Sequence, residues 1–137
     1  MLTTKLTHPE ILYHLARAGH GAKILITDGN YPASTKIKES VPVVYLNLGP
    51  DQPTVLQILV ALSSMCNWEA AEVMCPDDGH RPAIFDEFQK QLSLELKLLK
   101  RYDFYSECMN SGDLALAIVS GETRPYANVL LTVGVSN

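Results

Sequence analysis

The sequence predicts an α/β fold: a three-layer α/β/α domain built on a mixed sheet of about six strands. Segments with helical spacing of apolar residues alternate along the chain with short runs rich in Val, Ile and Leu, which is typical of strands joined by helices. The last two predicted strands are separated by a short connection, which favours antiparallel pairing between them. No linker or repeat interrupts the pattern, so residues 1–137 are expected to form one domain.

Four segments are predicted as helices. The first has Thr7 as its N-cap and ends at Gly19, because Thr and Gly favour these two positions. The second follows Thr54 and is apolar on all sides, which is typical of a buried helix. An amphipathic third helix is expected over residues 82–96, and a short fourth helix starts at Asp103.

Six segments are predicted as strands, since each is short, apolar and bounded by turn-forming residues. They are residues 23–27, 41–46, 70–74, 96–99, 114–119 and 128–133.

Composition and charge exclude several classes of function. The net charge is −4 and the basic residues are scattered, whereas nucleic-acid binding requires clustered Lys and Arg. No apolar run approaches the roughly 20 residues of a membrane span, and no apolar leader precedes the first helix. The three cysteines have no CxxC spacing, which indicates reduced thiols in a cytoplasmic protein.

Motifs for the common cofactors are absent from the sequence. It contains no GxGxxG, Walker A or GxSxG segment, so the dinucleotide, nucleotide and serine-hydrolase interpretations lack their motifs. The four histidines show no metal-binding spacing such as HxH or HExxH. We therefore expect neither a cofactor nor a metal.

His20 and Asp28 are the first candidates for a functional site. His20 lies between two glycines after the first helix, and Asp28 follows the first strand in a turn-rich loop that continues to Pro32. Because ligands of open α/β sheets bind beyond the carboxyl ends of strands, we expect one imidazole and one carboxylate to face a crevice there. A surface turn histidine and a turn-forming aspartate remain the alternative.

Two later segments carry further polar groups. Tyr126 and Asn128 are two residues apart, so in a strand both side chains project to one side. Arg101 ends a predicted strand and Tyr105 starts a helix, and a guanidinium suits vicinal hydroxyls or carboxylates. A strand-edge tyrosine with a turn asparagine, and helix packing by Phe104 and Tyr105, remain alternatives.

With these segments the sequence resembles the family of D-ribose pyranase and L-fucose mutarotase, over essentially the whole chain. The Arg-aromatic-x-Phe-Tyr stretch at 101–105 and the loop from Asp28 are closer to the L-fucose mutarotase branch. One departure is Asn67, which stands where that branch has a carboxylate able to touch substrate. The matching segments are residues 9–12, 18–21, 28–34, 101–105 and 121–135.

The resemblance implies a function and a set of roles. It implies interconversion of anomers, or of pyranose and furanose forms, of L-fucose or a related monosaccharide by acid–base assisted ring opening without a cofactor. His20 is implied as the proton-transferring residue, since an imidazole titrates near neutrality. The resemblance also implies a ring-shaped homo-oligomer, with a decamer favoured and sites near subunit interfaces. The implied sugar contacts are Asp28, Arg101, Tyr105, Tyr126 and Asn128.

Two other functions stay open at this point. One is a non-catalytic monosaccharide-binding accessory protein for sugar uptake or regulation, which would use the same contacts. The other is a metal-dependent isomerase.

Overall fold

The computed structural model describes residues 1–136, which form four helices and six strands. The helices are α1 (Pro9–Arg17), α2 (Val55–Ser63), α3 (Ala83–Leu92) and α4 (Arg101–Asn110). The strands are β1 (Lys23–Thr27), β2 (Val43–Tyr45), β3 (Trp68–Cys75), β4 (Leu96–Lys100), β5 (Leu114–Val119) and β6 (Val129–Val133).

The six strands form one mixed sheet in the order β2-β5-β1-β6-β3-β4. Strand β6 runs antiparallel to both of its neighbours, β1 and β3, while the pairs β1–β5, β2–β5 and β3–β4 are parallel. The expected pairing of β5 with β6 is wrong, because β1 lies between them. Residues 24–27 of β1 are fully buried, and its Lys23 pairs with Leu114 of β5 on one side and Thr132 of β6 on the other. The connection over residues 120–128 is long enough to cross this one central strand.

One face of the sheet is covered by α1, α2 and α3. The helices contribute buried side chains such as Ile11, Leu59 and Phe85, which pack against Ile24 and Ile26 of β1 in one apolar cluster. Alternate residues of a strand point to opposite faces, so the intervening Leu25 belongs to a second cluster on the other side.

The second face is covered by α4 and by the irregular segment 31–41. Phe104 and Cys108 of α4 are fully buried against Leu25, together with Tyr31 and Val41. With helices on both faces of the sheet, the predicted three-layer α/β/α fold is confirmed.

The start of α2 agrees with the sequence prediction, while α1 and α3 each begin one residue later than predicted and α4 begins two residues earlier. Thr54 caps α2 and forms a reciprocal capping box with Gln57. Helix α1 begins one residue later than expected, since His8 is the N-cap and its Nδ1 accepts from the amide of Ile11 at 3.3 Å. Helix α4 begins at Arg101, so Arg101 opens a helix and does not end a strand.

A partly buried charge cluster fixes α4 to the sheet. The ammonium of Lys23 donates to Oε1 of Glu72 on β3 at 2.6 Å and to Oε1 of Glu107 on α4 at 2.7 Å. Burial opposes the charge of Lys23, but the bonds to Glu107 and Glu72 outweigh it and raise the pKa of Lys23. The bond to Lys23 lowers the pKa of Glu107. The cluster therefore holds β1, β3 and α4 in one register.

Within residues 1–136, no helix has both the length and the apolar character needed to cross a membrane.

Candidate functional site

Four elements deliver polar side chains to one edge of the sheet. The parallel strands β1, β3 and β4 end at this edge, and the antiparallel strand β6 starts there. Asp28 follows β1, Arg101 follows β4 as the first residue of α4, and Asn128 precedes β6. This is the edge at which open α/β sheets bind their ligands.

Asp28 and Asn128 hold each other in place although they are 100 residues apart. The backbone amide of Asp28 donates to Oδ1 of Asn128 at 2.8 Å, and Nδ2 of Asn128 donates to Oδ2 of Asp28 at 3.3 Å. Oδ1 of Asp28 also accepts from the amides of Asn30 and Tyr31, both at 2.9 Å. Burial raises the pKa of Asp28, and these hydrogen bonds to the carboxylate oppose that rise.

Arg101 and Tyr126 form the second polar pair. Nη2 of Arg101 donates to the hydroxyl of Tyr126 at 3.1 Å. This contact is the main cause of a raised Arg101 pKa, so the guanidinium stays charged. Tyr126 has a positive φ of 61°, in the left-handed region that costs energy for a residue with a side chain. It lies before the start of β6, so the two-residue strand spacing is not what brings Tyr126 beside Asn128.

Tyr105 completes the group from the first turns of α4. Its ring meets the ring of Tyr31 edge to face, with the centroids 5.5 Å apart. Burial is the main cause of a raised Tyr105 pKa, so the phenol is neutral.

All five predicted sugar contacts line one cleft of about 210 Å³. This volume lies below the roughly 300–1,000 Å³ of pockets for drug-sized ligands, so the cleft suits one small molecule. We call it the carboxyl-edge cleft. Its lining residues are Asp28, Asn30, Tyr31, Pro32, Met74, Arg101, Tyr105, Pro125, Tyr126 and Asn128.

His20 lies at the opposite edge of the sheet. It precedes β1 whereas Asp28 follows β1, and the five residues of this strand span about 16 Å at roughly 3.3 Å per residue. The turn is set by Gly21, whose φ of +86° suits glycine and whose amide donates to the carbonyl of Val133 at 2.9 Å. The expectation that His20 and Asp28 face one crevice is therefore not met within a single chain.

Glu69, at the start of β3, contacts the imidazole of His20. Nε2 of His20 lies 2.9 Å from Oε2 of Glu69, and both side chains are about half exposed, at 57% and 45%. His20 also lines a separate cleft of about 540 Å³, together with Asn67 and Val135. Asn67 is uncharged, and its Nδ2 donates to the carbonyl of Val135 at 3.0 Å, so no carboxylate stands at this position.

Sequence reasoning missed one group beside the carboxyl-edge cleft. The ring of His80 meets the ring of Tyr126 edge to face at 6.3 Å, and its Nδ1 is hydrogen-bonded to Asp78. Oδ2 of Asp77 lies 3.8 Å from Nη2 of Arg101. The sequence of residues 76–79 indicates only a turn. Their place after the carboxyl end of β3 is the one feature that could have indicated that they lie beside the cleft.

No group of three or more His, Cys, Asp or Glu side chains in residues 1–136 is arranged to hold a metal ion.

Comparison with known proteins supports the resemblance found in the sequence. A fucose mutarotase from Danio rerio is 32% identical, with 93% of this chain and 88% of that protein covered. A D-ribose pyranase from Pectobacterium atrosepticum is 30% identical, with 99% of each covered. The structure of Bacillus subtilis RbsD complexed with D-ribose has the same fold, with a TM-score of 0.83 over 100% of both chains at 24% identity. Residues 1–136 match the model of the RbsD / FucU transport protein family. The chain therefore belongs to the RbsD / FucU transport protein family.

Proposed function

We propose that this chain is a cofactor-independent isomerase, a mutarotase for L-fucose or a related monosaccharide. It interconverts the anomers, or the pyranose and furanose forms, by acid–base assisted ring opening. The observation that carries this proposal is the convergence of Asp28, Arg101, Tyr105, Tyr126 and Asn128 on one cleft of about 210 Å³. The names of the fucose mutarotase and D-ribose pyranase relatives support it.

Each side chain of the cleft has a binding role that follows from its chemistry. Asp28 and Asn128 offer a carboxylate and an amide to sugar hydroxyls, and their mutual hydrogen bonds preorganise both groups. Arg101 carries five N–H donors in a planar fork, of which one is used on Tyr126. The Tyr105 ring supplies a flat apolar surface for the C–H face of a sugar.

Ring opening needs a proton to leave one oxygen and another proton to reach a second oxygen. The anomeric hydroxyl loses its proton, the bond between the anomeric carbon and the ring oxygen breaks, and the ring oxygen gains a proton. Closure of the open-chain aldehyde on its other face gives the second anomer, with no change in oxidation state. We assign one of these proton transfers to His20, since an imidazole serves as acid or base near neutral pH. Tyr126 or a water molecule transfers the other proton.

His20 must then come from a second copy of the chain. We infer a ring-shaped homo-oligomer, with a decamer favoured, in which His20 of one subunit lies over the carboxyl-edge cleft of its neighbour. Exposed apolar side chains beside both regions support this arrangement, since such side chains often mark interfaces. Tyr102, next to Arg101, is 76% exposed, and Met65 and Val135, which line the cleft of His20, are 44% and 55% exposed.

Saturation-difference NMR of L-fucose and D-ribose tests the proposed activity. Irradiation of one anomer's resonance should transfer saturation to the other anomer faster in the presence of the protein, and His20→Ala should abolish this acceleration. The proposed function is refuted if the purified protein does not accelerate anomer exchange or ring-form exchange for L-fucose, D-ribose or any close relative.

A second candidate is a non-catalytic monosaccharide-binding protein for uptake or regulation. It is favoured by the position of His20, which lies outside the carboxyl-edge cleft of its own chain. Sugar binding with unchanged exchange rates in protein with intact His20 would select this function.

We also propose that the protein works in the cytoplasm. Cys66, Cys75 and Cys108 are all free thiols, which suits a reducing compartment.

A further inference from the structure

We propose that Glu69 is the positioning residue of His20, which orients its imidazole and sets which ring nitrogen exchanges the proton with the sugar. This inference rests on the proposed function, in which His20 transfers the proton.

The backbone around Glu69 directs its carboxylate to His20. The pairing of β3 with β6 shifts register between Trp68 and Ala70, so Glu69 is the extra residue of a β-bulge. Glu69 and Ala70 are consecutive exposed residues, which breaks the alternation of the strand at this point. Bulges of this kind change the direction in which a side chain points and are frequent beside active sites.

Gly134, which follows β6, lies against the backbone of Asn67 and Glu69. A Cβ atom at Gly134 would lie 3.5 Å from both the Cβ and the amide nitrogen of Glu69, and 3.3 Å from the carbonyl oxygen of Asn67. The amide of Gly134 donates to that same carbonyl at 2.7 Å. The bulge therefore packs tightly against the chain after β6, and the position of Glu69 is set by the backbone.

Glu69, and not the nearby Asn67, presents a carboxylate to the imidazole of His20. Asn67 is uncharged and uses its side chain on the backbone of Val135, so it offers no carboxylate to the imidazole. Oε2 of Glu69, 2.9 Å from Nε2 of His20, is the acid group that meets this ring. A carboxylate on Nε2 accepts the Nε2–H, which leaves Nδ1 as the nitrogen with the free lone pair.

Loss of the contact between Glu69 and His20 is expected to lower the sugar exchange rate moderately. Carboxylates that orient a metal-bound histidine change activity or metal affinity by about 10- to 100-fold when they are removed, and we take this range as the guide for the metal-free His20–Glu69 pair. Because both side chains are about half exposed in one chain, we expect the lower end of this range, about 10-fold.

The test compares Glu69→Gln with wild type and with His20→Ala by saturation-difference NMR, with Glu95→Gln at an exposed site as the matched control. Glu69→Gln is expected to lower the exchange rate at saturating sugar about 10-fold and to leave the dissociation constant unchanged. The ¹⁵N shifts of the His20 ring should change in Glu69→Gln and stay unchanged in Glu95→Gln.

The two possible failures are distinguishable. If His20→Ala loses the acceleration but Glu69→Gln keeps the full rate, the role of Glu69 is refuted and the proposed function stands. A lower rate in Glu69→Gln with unchanged ¹⁵N shifts of the His20 ring would also refute it, since the loss would then not act through the imidazole. If His20→Ala keeps the full rate, the catalytic role of His20 fails, and the positioning role of Glu69 fails with it.

Discussion

His20 and Asp28 lie at opposite ends of strand β1, one before Lys23 and the other after Thr27. The carboxyl-edge cleft contains Asp28 and four other predicted sugar contacts, while the imidazole lies beside Glu69 at the amino end of the strand. Each chain thus carries two separate parts of the proposed site.

Sugar affinity should depend on the protonation of Asp28. Burial raises the pKa of this carboxyl, so in the native state it takes up a proton at a higher pH than an ordinary carboxyl with a value of 3.8. As the pH falls through this raised pKa, the Asp28 carboxylate becomes protonated and the cleft loses a hydrogen-bond acceptor, which weakens sugar binding. The same protonation favours the folded over the unfolded state. Isothermal titration with L-fucose should show a dissociation constant that rises as the pH falls.

Asp28→Asn should bind sugar weakly and with no pH dependence in this range, whereas Asp113→Asn, at an exposed turn, should behave as wild type. A dissociation constant that does not change as the pH falls to the ordinary carboxyl pKa of 3.8 would contradict this role of Asp28.

Tyr126→Phe tests the second proton transfer. The substitution removes the hydroxyl that accepts from Arg101 and keeps the ring that lines the cleft. If this hydroxyl is the acid–base partner of His20, the exchange rate should fall by about 100-fold or more, with sugar affinity within a few-fold of wild type. Tyr45→Phe, on an exposed ring of β2, is the control. An unchanged rate in Tyr126→Phe would assign that proton to water.

Lys23→Met should destabilise the fold. It leaves the carboxylate of Glu72, whose side chain is 9% exposed, without its counter-charge. Removal of one partner from a buried ion pair is expected to lower the free energy of unfolding by about 3 kcal/mol. Urea unfolding should show this loss, whereas Lys90→Met at an exposed helix position should change stability by less than about 0.5 kcal/mol. A Lys23→Met protein as stable as wild type would show that the cluster does not hold α4 to the sheet.

Glu107 should contribute a pH-dependent part of that stability. The hydrogen bond from Lys23 lowers its pKa below the ordinary 4.5, so its contribution is present above that value and is lost as the pH falls through the lowered pKa. The pair is partly exposed, and Glu107→Gln is expected to cost about 1 kcal/mol at neutral pH. Urea midpoints measured over a pH series should converge for the two proteins in acid. If the urea midpoints of wild type and Glu107→Gln differ in acid as much as they do at neutral pH, the pH-dependent contribution of Glu107 is contradicted.

Local signals in the sequence predicted the elements well. Strands β1 and β5 have the predicted bounds, and the Thr54 cap of α2 is where the sequence places it. These features depend on residues close together in the chain, such as a cap and the third residue after it. The start of α1 differs by one residue, because His8 satisfies the helix amide that Thr7 was expected to cap.

Long-range relations could not be predicted in the same way. Asp28 pairs with a residue 100 positions away, and His20 pairs with one 49 positions away. Which strands become neighbours decides such pairs, and the insertion of β1 between β5 and β6 was not visible in the local pattern. The order of the strands also decides that β1 separates His20 from the cleft.

Mixed oligomers test most directly the claim that one subunit supplies His20 to the cleft of another. At a sugar concentration well below the raised dissociation constant of Asp28→Asn, His20→Ala and Asp28→Asn chains are each expected to show almost no exchange activity alone. Co-expressed in equal amounts with different tags and purified as mixed assemblies, they should regain about a quarter of the wild-type exchange rate, because about a quarter of the interfaces pair an intact His20 with an intact cleft. Mixed assemblies that stay as inactive as the two parents would contradict a site shared between subunits.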